Sequence, residues 1–233
     1  KNFRFMVKSE LDDVTILAKV HQENWSGKPK PIASKGVLKL DGSGMCTPVQ
    51  VGSNDCMDAF GGQIGGSDFW DVKADTADRN HKSDGWGASL KIQWRINQYI
   101  DLTFNSGFRD LSRDHSWDSD GSGNYIEGAM GTDNQLISHE VNIAYQFKKL
   151  FWQTGIFYLS EQTKQDNIFD LFRDFREIPS FAGNASEFHY KNSLKNSSTA
   201  IYSQLDYQLM EATTLTAGLR YTDENTKYHA NAD

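Results

Sequence analysis

Apolar and polar residues alternate along most of this chain. Trp86, Ala88, Leu90, Ile92, Trp94 and Ile96 share one parity, while Gly87, Ser89, Lys91, Gln93 and Arg95 share the other. After the short link Asn97-Gln98-Tyr99 the pattern resumes, with Ile100, Leu102, Phe104 and Phe108 set against Asp101, Thr103, Asn105 and Arg109. Successive side chains of a strand point to opposite faces, so a period of two predicts strands with one apolar face. The same alternation predicts eight strands in four hairpins, near 3–11, 13–24, 84–97, 99–117, 135–148, 150–166, 197–210 and 213–228. Both parities mix in the 150–166 strand, which leaves its facing open.

The connections alternate in kind. Links at Asp12, Gln98, Lys148 and Glu211 are very short, whereas 25–83, 118–134 and 167–196 are long and polar. Tight turns at one end and long loops at the other are the layout of an antiparallel up-and-down transmembrane β-barrel. Aromatic residues give a second indication. Trp94, Tyr99, Tyr145, Phe147, Phe151, Trp152 and Tyr207 all fall close to the tight turns, at the level where an amphipathic ring sits at a membrane boundary. Trp94, Tyr99, Tyr145, Phe147, Trp152 and Tyr207 are therefore expected in a membrane girdle. The opposite parity carries Lys91, Gln93, Arg95, Asp101, Asn105, Glu140, Asn142, Gln146, Gln204, Asp206 and Arg220, a wall suited to a wet lumen. A soluble sandwich would present these same residues to solvent.

Composition narrows the class. The 233 residues carry a net charge of −7 and are 38% hydrophobic, with no apolar run long enough for a membrane helix. That leaves barrels untouched, because barrel strands are apolar only at alternate positions. The acidic balance argues against a nucleic-acid partner. Cys46 and Cys56 are the two cysteines. No His lies between or beside them to complete a zinc site, so a disulfide in an oxidising compartment is the better reading and two free thiols the alternative. The six His residues are scattered without metal spacing, and no hydrolase, zinc-protease, Walker or dinucleotide motif occurs. No catalytic residue, cofactor or metal site is expected, and the chain is not read as an enzyme.

Three segments resemble TonB-dependent receptors of Gram-negative outer membranes. AIYSQLDYQLMEATTLTAGLRYTDE, from Ala200 to Glu224, is similar to that family's barrel hairpin ending in GLRYTDE. Gly85 to Asp110 resembles its G-x-S-L-x-L-x-W strand followed by one ending in R-D. Gln135 to Glu161 is similar to its Q-x-S-x-E-x-R-L strand with a G-x-F-Y return, although Asn142 stands where Arg is common.

The resemblance implies a barrel of about 22 strands closed around a plug, of which residues 1–233 would form an incomplete internal part lacking that plug. It further implies energised uptake of a scarce ligand, such as a ferric siderophore, across the cell outer membrane. The implied partners are the lipid bilayer, the plug of the same full-length chain, the TonB complex and a small-molecule ligand. Lumen-facing Lys91, Arg95, Arg109 and Arg220 are the candidates for contact with ligand or plug; the competing role is pairing with Asp101, Glu140 and Asp206 to brace the wall. Two other functional readings remain at this point: a passive porin-like channel, and a secreted β-sandwich carbohydrate-binding module.

Three loop features complete the expectations. Residues 118–124 begin like a calcium loop but lack its closing acid, which favours a flexible external loop. Loop 25–83, with Trp25, Phe60, Phe69, Trp70 and both cysteines, could form a lid. Ile168, Leu171, Phe172 and Phe175 follow helical spacing and predict a short amphipathic helix before Pro179.

Overall fold

A computed structural model describes residues 1–28, 39–47, 49–50, 53, 55–56, 81–119, 126–173 and 186–232. Eight strands form one antiparallel sheet in strict sequence order. They are β1 (Asn2–Leu11), β2 (Val14–Gly27), β3 (His81–Asn97), β4 (Ile100–Asp118), β5 (Ile126–Phe147), β6 (Leu150–Leu171), β7 (Ser186–Met210) and β8 (Thr213–Ala232). The sheet is open, and β1 and β8 each keep one edge unpaired within it.

Register turns the alternating sequence into two continuous faces. Ser9, Ile16, Ile92, Phe104, Val141, Ile156, Ile201 and Tyr221 are partners in one unbroken row across all eight strands. The next row towards the turns is Leu11, Val14, Trp94, Leu102, Ile143, Thr154, Ser203 and Leu219. Paired residues share a face, so these rows build one apolar band. Its polar positions are Ser9, Thr154 and Ser203 in these rows and, one row further from the turns, Ser106 and His139, where Ser106 Oγ and His139 Nδ1 satisfy each other at 3.0 Å. The facing of β6 follows from its partners. Leu150, Trp152, Ile156 and Tyr158 join the apolar face, and Phe151, Gln153, Gly155 and Phe157 join the polar one.

No second sheet covers the band among the described residues, and Leu215 and Leu219 remain 56% and 85% exposed. This removes the sandwich reading, whose apolar face has to be packed against another layer. Near the turns an apolar groove runs between Ile100, Ile143, Tyr145, Leu150, Trp152 and Leu205.

The turns are as short as expected. Asp12 and Lys148 carry positive φ, 44° and 49°, which lets two-residue links reverse β1–β2 and β5–β6. In the β3–β4 link the Asn97 side chain accepts hydrogen bonds from the backbone N–H groups of Tyr99 and Ile100. Register shifts between Arg95 and Asn97, and between Gln208 and Met210, sit beside two of these turns.

The far ends differ from expectation. β5 starts at Ile126 rather than near 135, β6 runs to Leu171 rather than 166, and β7 starts at Ser186 rather than near 197. Ile168 and Leu171 are therefore strand residues, not the start of a helix. Each is hydrogen-bonded into ladders with β5 and β7, with partners Ala129 and His189 for Ile168 and Ile126 and Ser186 for Leu171. Two neighbouring ladders outweigh a local helical spacing. Phe175 and Pro179 lie outside the described residues, as do positions 120–124 of the calcium-like segment and Phe60, Phe69 and Trp70. Within loop 25–83, Cys46 and Cys56 are joined by a disulfide and Lys39 bridges to Cys56.

Strands of 22 to 25 residues in β5, β6 and β7 are about twice what a bilayer needs. Their upper halves therefore stand clear of the apolar band. Neighbouring residues on opposite faces give a direct check. Val141→Arg places a cation in the apolar band, with a cost of about 2–4 kcal/mol at mid-depth, whereas Asn142→Arg places it on the polar face. Heat-modifiable migration of the full-length protein on gels should be lost in the first variant and kept in the second.

Candidate functional site

The polar face carries the candidate chemistry, in two zones. The lower zone is a hydrogen-bonded network over β4 to β8. Glu140 accepts from Asn105 Nδ2 at 3.2 Å and from the Tyr202 hydroxyl at 2.8 Å. Tyr202 reaches it by crossing Gly155, its partner on β6. A Cβ on Gly155 would stand 2.5 Å from Tyr202 Oη and 2.8 Å from the Val141 carbonyl oxygen. Only a residue without a side chain leaves the ring that path. The Arg220 guanidinium then lies over two rings, 5.7 Å from the Phe157 centroid and 5.9 Å from that of Tyr202.

The predicted cations share this face, but they are not braced as the wall-pairing role supposed. Arg95 Nε is 3.9 Å from Asp101 Oδ1, with both side chains largely exposed, so that pair contributes little. Glu140 is engaged by Asn105 and Tyr202, and Asp206 accepts from Gln204. Among the described residues, Lys91, Arg109 and Arg220 make no ion pair. Arg109 donates only a long bond to Asn134 Oδ1, at 3.5 Å. Asn134 is itself held by Glu161 and Thr163, at 2.8 and 2.9 Å.

The upper zone is a rim of rings at the loop end of the same face. Trp25 meets His81 edge-on at 4.6 Å, and His81 and His115 are 5.8 Å apart. Trp117 meets Phe169 at 5.5 Å, and Phe169 stacks with Tyr190 at 6.0 Å. Trp117 lies over Gly128, where a Cβ would come within 2.6 Å of its ring and 2.7 Å of the Ile168 carbonyl oxygen. His81 Nδ1 and Nε2 and His115 Nδ1 are buried with no hydrogen-bond partner among the described residues. His115 lies well beyond Phe108, the last apolar residue on the apolar face of β4, and so outside the membrane-spanning part. Burial, and then the like charges of Arg113 and His81, hold its pKa below the ordinary histidine value. The rim thus presents aromatic faces beside two imidazoles.

Sequence reasoning missed this rim. Phe169, Phe188 and Tyr190 fell in the span assigned to a loop, and so did His81. The signal was present as continued alternation through Phe169-Asp170-Leu171 and Phe188-His189-Tyr190. The girdle candidates lie at the turn end. Trp94, Tyr145, Phe147, Trp152 and Tyr207 are on the apolar face by register, and Tyr99 in its turn packs 5.1 Å from Phe147. Phe151, counted with them on position, is on the polar face.

An open antiparallel sheet with a lipid-compatible face and a polar, ring-topped face is part of an outer-membrane type of β-barrel. The chain belongs to the TonB dependent receptor-like β-barrel family, whose model matches residues 43–233. It is similar to the ferric yersiniabactin uptake receptor FyuA from Yersinia pestis, at 11% identity and a TM-score of 0.57, over 98% of this chain and 38% of that one. It is also similar to BauA, the ferric preacinetobactin receptor from Acinetobacter baumannii, at 11% identity and a TM-score of 0.53, over 100% of this chain and 36% of that one. The chain therefore spans under two fifths of the length of these receptors. No curated protein sequence matches it. Within the family fold, the apolar face is the lipid side and the polar face the lumen side.

Two measurements test the lumen-side geometry. Gly155→Ala should destabilise the refolded receptor by about 1–3 kcal/mol in urea titration, because the new methyl meets backbone that cannot yield. Tyr202→Phe, which loses the hydroxyl that bonds Glu140, should cost about 1 kcal/mol. Acid should loosen the rim. The folded-state pKa of His115 is depressed, so its stabilising contribution is present above the unfolded value of about 6.5 and is lost as pH falls through it. Tryptophan emission should report that opening, and His115→Gln should flatten its pH dependence.

Proposed function

We propose that the full receptor takes up an anionic metal chelate with aromatic groups, such as a ferric siderophore, across the outer membrane of a Gram-negative bacterium. The observation that carries this reading is the pairing of an aromatic rim with the lumen cations Lys91, Arg109 and Arg220, which make no ion pair among the described residues. Flat rings of a ligand stack on Trp117, Phe169 and Tyr190 at the loop end. Its negative charge is then met further in by Arg109, Lys91 and Arg220. Stacking and cation contacts of this kind gain strength where water is excluded.

Family membership supports a receptor or transporter role rather than an enzymatic one, and the two siderophore receptors of like fold support the choice of a ferric chelate. A plug belonging to the same full-length chain would close the lumen, and TonB would supply the energy through that plug. The disulfide between Cys46 and Cys56, in the loop beside Trp25, suits export to an oxidising compartment.

The test uses the full-length receptor in a strain lacking other iron receptors, supplied with labelled iron as a catecholate, a mixed phenolate–thiazoline or a hydroxamate chelate. An aromatic chelate should support uptake and the hydroxamate should not. Trp117→Ala and the double variant Arg109→Gln/Arg220→Gln should each lower chelate affinity about tenfold, measured by quenching of tryptophan emission. Equal uptake of all chelates, or affinity unchanged in both variants, would count against the reading.

A further inference from the structure

We propose that the outward face of β6 to β8, just above the apolar band, binds the phosphate groups of membrane lipids; this rests on the outer-membrane reading. On that face the apolar rows end at Tyr158, Ile201 and Tyr221, and the polar pairs Thr199–Asp223 and Ser197–Asn225 follow them on β7 and β8. The next row outward is Gln162, Lys195 and Lys227, and beyond it come Lys164, Ser193 and His229. Lys195 and Lys227 are direct cross-strand partners, and both are exposed. Like charges in directly opposed positions of an antiparallel pair destabilise the pair. Neither lysine has an ion pair among the described residues.

The neighbouring charges sharpen the contrast. Lys191 Nζ is 3.4 Å from Asp166 Oδ2, Lys82 Nζ is 3.2 Å from Asp114 Oδ2, and Lys164 has Asp133 as its register partner. Lys191 and Lys82 are thus paired, and Lys164 stands opposite a carboxylate. Lys195 and Lys227, beside His229, have no such partner among the described residues, and Asp223 on the same face lies two rows nearer the band. A groove of about 430 Å³ opens beyond this pair, further from the band, with Lys164, Lys191, Ser193, His229 and Asn231 among its lining residues. The carboxylates Asp114, Asp133 and Asp166 also line it. They repel an anion towards the β7–β8 end, where hydroxyl, amide and ammonium donors converge.

A lipid fits this place because the lysines stand on the lipid-facing side of the strands, with two polar rows between them and the apolar band. Acyl chains would lie along Ile201, Leu205 and Tyr221 while the phosphate, at headgroup depth, meets the paired lysines. Clusters of basic side chains next to a membrane-spanning segment draw anionic headgroups by the same physics.

The test places the full-length receptor in nanodiscs of phosphatidylcholine doped with phosphatidic acid, with native mass spectrometry reading the lipids retained. The receptor should retain phosphatidic acid preferentially. Removing charge should weaken that retention about fivefold per lysine in Lys195→Gln and Lys227→Gln, and Lys195→Arg/Lys227→Arg should keep it. Equal retention by the native protein and the double glutamine variant would overturn the proposal. So would inorganic phosphate binding these lysines as well as phosphatidic acid does. Protease protection in vesicles separates the two levels: a receptor that does not insert defeats the membrane reading itself, whereas one that inserts without lipid preference defeats only the lipid site.

Discussion

The structure depends on one constraint: backbone N–H and C=O groups that face hydrocarbon must find their partners within the protein. A sheet whose strands pair in sequence order meets this for every interior strand. Once the ladder carries the polar backbone, side chains are free to divide into a face for lipid and a face for water. The period of two does the dividing, and register keeps it continuous. A slip of one residue in any strand would put Lys91 or Asn105 among lipid tails and Ile92 or Phe104 in the lumen. The row from Ser9 to Tyr221 is the product of that constraint, with a single alignment held across seven strand pairs.

A lumen wall this polar needs its own means of order, because it has no dry core to pack. Here the means are rings laid over glycines and carboxylates shared between amides and hydroxyls. Tyr202 over Gly155 ties β7 to β6 and reaches Glu140 on β5, and Trp117 over Gly128 does similar work at the rim. These contacts occupy Glu140 and Tyr202 and so leave the cations beside them uncommitted. Arg220 rests on rings rather than on a carboxylate, and Arg109 has only an amide neighbour. A wall built in this way is firm and still has charge to offer a ligand.

The two faces also differ along their height. Near the tight turns the lipid side carries Trp94, Tyr145, Phe147, Trp152 and Tyr207, and above the band it becomes charged within one row. The strands continue past the bilayer, so their upper halves are wet on both sides. The lumen side of the extension presents rings and imidazoles, and the outward side presents lysines interspersed with aspartates. On the reading proposed above, one set of strands would meet a chelate on one side and the membrane surface on the other.

Strand number, hairpin order, the short turns and the division of faces were legible in the sequence, because alternation is a local property written residue by residue. The runs Trp86–Ile96 and Leu215–Tyr221 state it without reference to anything else. The family was legible too, in the GLRYTDE hairpin. The facing of β6, the full reach of β5 to β7 and the meeting of His81 with His115 came only from the tertiary structure. In β6 both parities carry apolar residues, so only its partners on β5 and β7 assign them. Ile168 and Leu171 have a helical spacing that two hydrogen-bonded ladders override. The rim residues lie far apart along the chain, and register alone brings them to one height on one face.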